Sequence, residues 1–167
     1  MLTRRRVLAA SIGVLAAAGF SERAYGVETG GLRMAMDESD LIYVAPIRSD
    51  GRASRCQAEV WFVHHASDLY VVTASDAWRA QAVGKGLTRT HIWVGDVGAW
   101  KSSNGAYRQL PQIQAVGSQV KEADSQTSVL DAMGDKYSLE WIVWGPRFRD
   151  GLADGSRVML RYQPVTV

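Results

Sequence analysis

Residues 53–65 alternate in character. Cys56, Ala58, Val60 and Phe62 fall on one side of an extended chain, and Arg55, Gln57, Glu59 and Trp61 fall on the other. Period two with one apolar face is the pattern of a half-buried strand. A strand with one dry face must find partners that share its core, so this segment constrains everything around it. The partners are present. Leu41–Ile47, Leu69–Thr73, His91–Val94, Ala99–Ser102, Gln112–Val120 and Arg157–Tyr162 all read as extended. Ser49-Asp50-Gly51, Ala66-Ser67-Asp68 and Asn104-Gly105 supply turn chemistry between them.

Helical pattern is sparser. It is expected at Leu32–Asp37, at Ala77–Gly84 behind a Ser75 or Asp76 cap, and at Ser125–Met133 behind an Asp124 cap. Leu139–Trp144 reads as helical, with Pro146 ending it. Six or so strands with a helix after the third predict a closed antiparallel barrel carrying a few helices. The length of 167 residues, with 47% apolar and 22% charged residues, suits one domain with its own core.

The N-terminus reads as an address. Arg4, Arg5 and Arg6 precede an apolar run from Val7 to Phe20, and Ser21–Gly26 is a small-residue exit. The run falls short of the roughly 20 residues needed to span a bilayer as a helix. Paired arginines beside a mild apolar run are similar to a twin-arginine export signal, with cleavage expected after Gly26. Residues 1–26 are therefore expected to engage the twin-arginine export machinery, and residues 27–167 to form the working domain in the periplasm or otherwise outside the cytoplasm. That route carries folded proteins, which favours a chain that loads a cofactor before export.

Charge follows the same division. The chain carries +2 overall, but Arg4, Arg5, Arg6 and Arg23 against Glu22 give +3 within residues 1–26. The remainder is left at −1, which provides no global field for nucleic acid. Cys56 is the one cysteine, so no intrachain disulfide is possible.

Four stretches in order then carry a resemblance. They are Ile42–Arg52 running into Ser-Asp-Gly; Val60–Val63 followed by Asp68–Thr73; Ala77–Ala82; and Gly151–Val158 entering the last strand. Together they resemble the pyridoxamine-phosphate-oxidase-like family of flavin and deazaflavin split barrels, over about residues 40–163. The resemblance implies a mainly β fold, a six-stranded antiparallel split β-barrel with a few helices. It also implies a homodimer with FMN in a groove at the subunit interface, deazaflavin or haem being the other planar ligands such barrels hold.

The resemblance places a phosphate grip on Arg55 and Gln57 of the second strand and on Thr73, Ser75 and Arg79 of the following strand-to-helix turn. A guanidinium fork and hydroxyl donors are what a phosphate needs. Trp61 and Trp100 are expected to contact the ring, because a flat aromatic face suits a flavin. Trp78 stands where many members carry a further cation. The arginine and histidine pattern of true pyridoxamine-phosphate oxidases is absent from the C-terminus, so vitamin B6 oxidation is rejected. The implied activity is an FMN-dependent oxidoreductase of the cell envelope acting on a small molecule. Its alternatives are a non-catalytic binder of flavin, haem or another planar ligand, and a structural dimer.

No other constellation carries chemistry. His64 and His65 are adjacent on a strand and must point to opposite faces. No histidine or cysteine spacing matches a zinc site. Arg147, Arg149 and Arg157 are expected to pair with Asp150 and Asp154. No acid or base is assigned.

Overall fold

A computed structural model describes residues 22–55 and 58–165. The expected leader falls largely on residues 1–21, and Cys56 and Gln57 also lie outside the described residues. The elements run α1 (Glu22–Glu38), β1 (Leu41–Pro46), β2 (Ala58–Trp61), β3 (Val63–His65), β4 (Asp68–Ala74), α2 (Trp78–Gly84), β5 (Arg89–Val94), β6 (Gln112–Val120), α3 (Ala123–Asp154) and β7 (Arg157–Pro164). A short 3-10 turn, Ala106–Gln109, lies between β5 and β6.

All pairings are antiparallel, in the order β2-β1-β5-β6-β7-β4-β3. Since β2 and β3 are separated by Phe62 alone, the chain itself joins the two edges. The result is a nearly closed antiparallel barrel. It has seven strands rather than the expected six. The predicted 53–65 strand is broken: Ala53 makes only an isolated bridge to Ile47, and β2 and β3 pair with different partners. The predicted strand at Ala99–Ser102 is absent. Those residues form turns, with Ser102 and Ser103 N–H both donating to the Ala99 carbonyl.

Alternation sorts the side chains into layers. Ile42, Val44, Phe62, Leu69, Val71, Ile92, Val94, Leu160 and Tyr162 fill the barrel interior. Met36, Leu32 and Ala35 of α1 and Val83 of α2 pack against them. On the outside, Val63, Tyr70, Val72 and Met159 meet Val129, Leu130, Met133 and Tyr137 of α3. Tyr43, Ala45 and Trp93 meet Tyr107, Val97 and Trp100 from the 95–111 loop.

The β3–β4 turn is tight. Ala66 and Ser67 both take positive φ, +48° and +71°, between the paired His65 and Asp68. Two left-handed residues in a two-residue hairpin loop match the right-handed twist of the strands. Arg161 Nε donates to Asp68 Oδ2 at 2.5 Å, tying this turn to β7.

The helices differ most from expectation. Helix α1 is longer than Leu32–Asp37 and spans the expected cleavage point after Gly26. Ala77, not Ser75 or Asp76, is the N-cap of α2, and no side chain caps it. Glu122 is the N-cap of α3, which leaves Asp124 in the first turn, where a carboxylate suits the exposed N–H groups. Pro146 does not end a helix but lies inside α3. The interruption is at Ser138, whose φ is +24°. A straight helix would hold residues 131 and 149 about 27 Å apart at 1.5 Å per residue. Arg149 instead reaches Asp131 at 3.8 Å, so α3 folds back on itself. Trp141 is wedged into this hairpin, within 3 Å of where a Cβ would stand on Gly134 or Gly145. Arg149 thus pairs with Asp131 rather than Asp150, while Arg147 and Arg157 lie over the Trp144 and Phe148 rings. Among the described residues no helix is long and apolar enough to cross a membrane.

Candidate functional site

The turn from β4 into α2 is built on a strand that stays dry to its end. Leu69 and Val71 face the barrel interior, and the same side of β4 carries Thr73, which is 1% exposed. Its Oγ1 is buried without a hydrogen-bond partner. One turn later α2 begins, too short at seven residues to add a meaningful dipole. It carries Trp78 and Arg79, and both Trp78 Nε1 and Arg79 Nε are buried and unpartnered. A fourth such atom is Tyr162 Oη of β7, inside the barrel.

Among the described residues these four atoms are the buried side-chain polar groups without a hydrogen-bond partner. A buried donor or acceptor left unsatisfied costs about 1–3 kcal/mol, and more when the group is charged. Burial pulls the Arg79 guanidinium below its ordinary value; the nearby Tyr162 and Glu59 work in the opposite direction. Burial likewise pushes the Tyr162 phenol up, with Arg79 opposing. Arg79 and Tyr162 therefore feel one another, and neither has a partner in hydrogen-bond contact. Glu59 affects Arg79 only through its field, because its Oε2 accepts from Trp100 N–H at 3.1 Å.

The other expected site residues do not gather with Thr73 and Arg79. Ser75 is engaged elsewhere, its Oγ donating to the Ser156 carbonyl at 3.2 Å. Gln81 Nε2 in turn holds the Ser75 carbonyl at 2.8 Å. Arg55 is exposed and shares a cleft with Trp100. Trp100 packs in the outer cluster under the 95–111 loop, and Glu59 links its backbone to β2. Trp61 is on the opposite, α3 side of the wall. It stacks on Tyr137 at 4.4 Å and meets Trp144 and Phe148 edge-on.

Two residues escaped the sequence reading. Tyr162 is indistinguishable in sequence from an ordinary core tyrosine in an alternating strand. Glu59 lies on the polar side of β2 beside Trp61, and an acid there carried no signal. The histidines separate as adjacent strand residues must. His64 Nδ1 is 3.5 Å from Asp37 Oδ1 of α1, and His65 Nε2 is 3.3 Å from Ser128 Oγ of α3. Among the described residues no group of three or more histidine, cysteine or acidic side chains is placed to hold a metal.

Solved structures share this architecture. The haem storage protein HutZ from Vibrio cholerae superposes with a TM-score of 0.57 over 81% of this chain and 89% of its own, at 17% identity. Campylobacter jejuni ChuZ gives 0.58 over 84% of this chain and 53% of its own, at 10% identity. A candidate pyridoxamine 5'-phosphate oxidase from Listeria innocua gives 0.54 over 84% and 94%, also at 10% identity. The fold is that of the pyridoxamine-phosphate-oxidase-like split barrels. At such identities the likeness concerns fold. No protein-family model matches the chain, and no curated protein does.

Within that split barrel, the residues present fit an anionic cofactor at the β4–α2 corner. Thr73 and Arg79 would hold an anionic tail, since one supplies a hydroxyl and the other a guanidinium with an unused buried N–H. Trp100, expected against the ring, lies instead in the outer-wall cluster and lines a separate cleft with Arg55.

Proposed function

We propose that this split barrel binds a planar anionic cofactor, FMN foremost, and works as a homodimer in the cell envelope after twin-arginine export. The observation that carries the reading is the half-buried Arg79 guanidinium, whose Nε is buried with no partner while Thr73 Oγ1 is similarly bare on the same strand-to-helix turn. A desolvated cation without a contacting counter-ion asks for an anion from outside the chain. FMN supplies redox chemistry when bound. The protein's part is to grip the phosphate, orient the ring and keep water from it. With a reducible ring held this way, the chain would serve as an oxidoreductase acting on a small molecule.

Haem storage is the second reading, supported by the fold shared with HutZ. The haem propionates would then take the place of the phosphate as the anion. Deazaflavin fits the same grip.

The visible spectrum of the purified protein separates these readings. A flavin spectrum bleached by dithionite and restored by air supports the first. A Soret band supports the second. A colourless protein that takes up neither FMN nor haemin overturns both. Arg79→Ala is expected to release the bound chromophore, and full retention would remove Arg79 from the grip.

A further inference from the structure

The 95–111 loop builds a second basic site on the outer wall. It is pinned at several points. Tyr43 Oη donates to the Gly98 carbonyl at 2.6 Å and accepts from Val97 N–H at 2.9 Å. Tyr107 is buried, stacks on Tyr43 at 5.2 Å and meets Trp93 edge-on at 5.2 Å. Trp100 N–H is held by Glu59. The loop is thus fixed to β1, β2 and β5 before any ligand arrives.

Over this base lies a cleft of about 460 Å³ bordered by Arg55, Trp100, Lys101, Asn104, Tyr107 and Arg108. Three of these side chains are cations and none is an acid. Among the described residues none of the three cations is in an ion pair. Lys101 Nζ lies 5.9 Å from the Trp100 ring centre, and the Arg108 guanidinium 5.3 Å from that of Tyr107. Aromatic faces hold cations without neutralising them. Gly105 completes the arrangement. Its φ of +84° suits glycine, and a Cβ there would stand 3.3 Å from Arg108 Nη1. The backbone thereby leaves the guanidinium room at the cleft.

We infer that this cleft binds a compact, multiply charged oxyanion, a phosphate or pyrophosphate group of a small molecule, between Arg55, Lys101 and Arg108. The charge-assisted fork of an arginine and the point charge of a lysine are the usual partners of such a group. A base of packed tyrosine and tryptophan fixes the spacing of the cations. The site is distinct from the Arg79 corner and does not depend on it.

Inorganic pyrophosphate is the probe, titrated calorimetrically into the full-length protein at low ionic strength. Saturable binding is expected, weakened at least fivefold by Lys101→Gln or Arg108→Gln and at least tenfold by raising the salt. All three cations are solvent-exposed, so these variants should fold, and circular dichroism checks that they do. The binding that depends on Lys101 and Arg108 should persist in Arg79→Met. No binding by the unaltered protein overturns the inference, as does binding indifferent to Lys101 and Arg108. Binding lost only in Arg79→Met also overturns it and transfers the anion to the β4–α2 corner, leaving the cofactor reading standing. A competition with FMN identifies the source. Displacement of pyrophosphate makes the cleft the seat of the cofactor's own phosphate and overturns the separate site, whereas independent binding of both supports it.

Discussion

Gly117 and Tyr162 face each other across the β6–β7 ladder, and a Cβ on Gly117 would stand 2.9 Å from Tyr162 Cε1. The same Cβ would be 3.0 Å from Val83 Cγ2 of α2. The glycine is therefore the gap into which the interior tyrosine and the helix both settle. Gly117→Ala should destabilise the fold by about 1–3 kcal/mol, the usual range for overpacking a dense core. Reversible denaturant unfolding measures this. The small gain alanine brings by restricting the unfolded chain works against the effect and sets its lower bound. An unchanged midpoint would mean that Tyr162 moves aside freely.

Tyr137 is the fastening between α3 and the β2–β3 break. Its Oη accepts from Phe62 N–H at 2.8 Å and lies 2.8 Å from both the Phe62 and Asp40 carbonyls, to which its single proton can be donated. Its ring keeps the stack on Trp61 whatever happens to the hydroxyl. Tyr137→Phe therefore isolates the polar part. It leaves a buried N–H at Phe62, between β2 and β3, and should cost about 1–3 kcal/mol. Hydrogen exchange at Phe62 should accelerate along with the fall in global stability.

Lys136 carries a pH signature. Its Nζ donates to the Ser39 carbonyl at 2.6 Å and lies 3.7 Å from the Phe62 ring centre. Burial brings the amine down to about 8, against the opposing pull of Asp40 and then Asp37. The unfolded chain therefore holds this proton over a range where the folded chain has released it. Wherever the unfolded state binds more protons, stability rises with pH. The contribution of Lys136 should thus increase from about pH 8 upward. Above pH 10 it meets an opposing trend, because burial pushes the Tyr137 and Tyr162 phenols up and favours the folded state only while they stay protonated. Denaturant midpoints measured between pH 7.5 and 10 should climb in the unaltered protein and climb less in Lys136→Met.

Much of the barrel is legible from side-chain alternation, because a period of two places residues on faces whatever the partners are. Val60 and Phe62 reach the interior and Trp61 and Val63 the α3 side, as the pattern requires. What the pattern does not carry is where a strand changes partners. Phe62 continues the alternation through the very point at which β2 yields to β3. Nor does it carry long-range folding of helices. Pro146 looks like a terminator, but the turn is made at Ser138, where Trp141 packs against glycines from both arms. At the site, Thr73 and Arg79 are visible because a strand running into a helix supplies a hydroxyl and a guanidinium in sequence. Tyr162 joins them from 83 residues beyond Arg79, and only the closure of β7 against β4 and β6 brings it there.

The Thr73–Arg79 corner should show opposite signs with and without ligand. In the free protein Thr73 Oγ1 forms no hydrogen bond, so Thr73→Val replaces an unsatisfied hydroxyl with a methyl of the same shape. Removing such a group is neutral or stabilising, by up to about 1–3 kcal/mol. Arg79→Met follows the same logic, since it takes away a desolvated charge and keeps a long apolar stem over the barrel end. Both variants should therefore match or exceed the unaltered protein in ligand-free denaturant unfolding. The same substitutions should weaken FMN binding, read by fluorescence quenching, by tenfold or more for Arg79→Met and less for Thr73→Val. A structural role alone predicts the reverse, lower stability with undiminished affinity. A gain in intrinsic stability joined to a loss of affinity is the mark of groups kept unsatisfied for a ligand, because only the bound anion repays their burial.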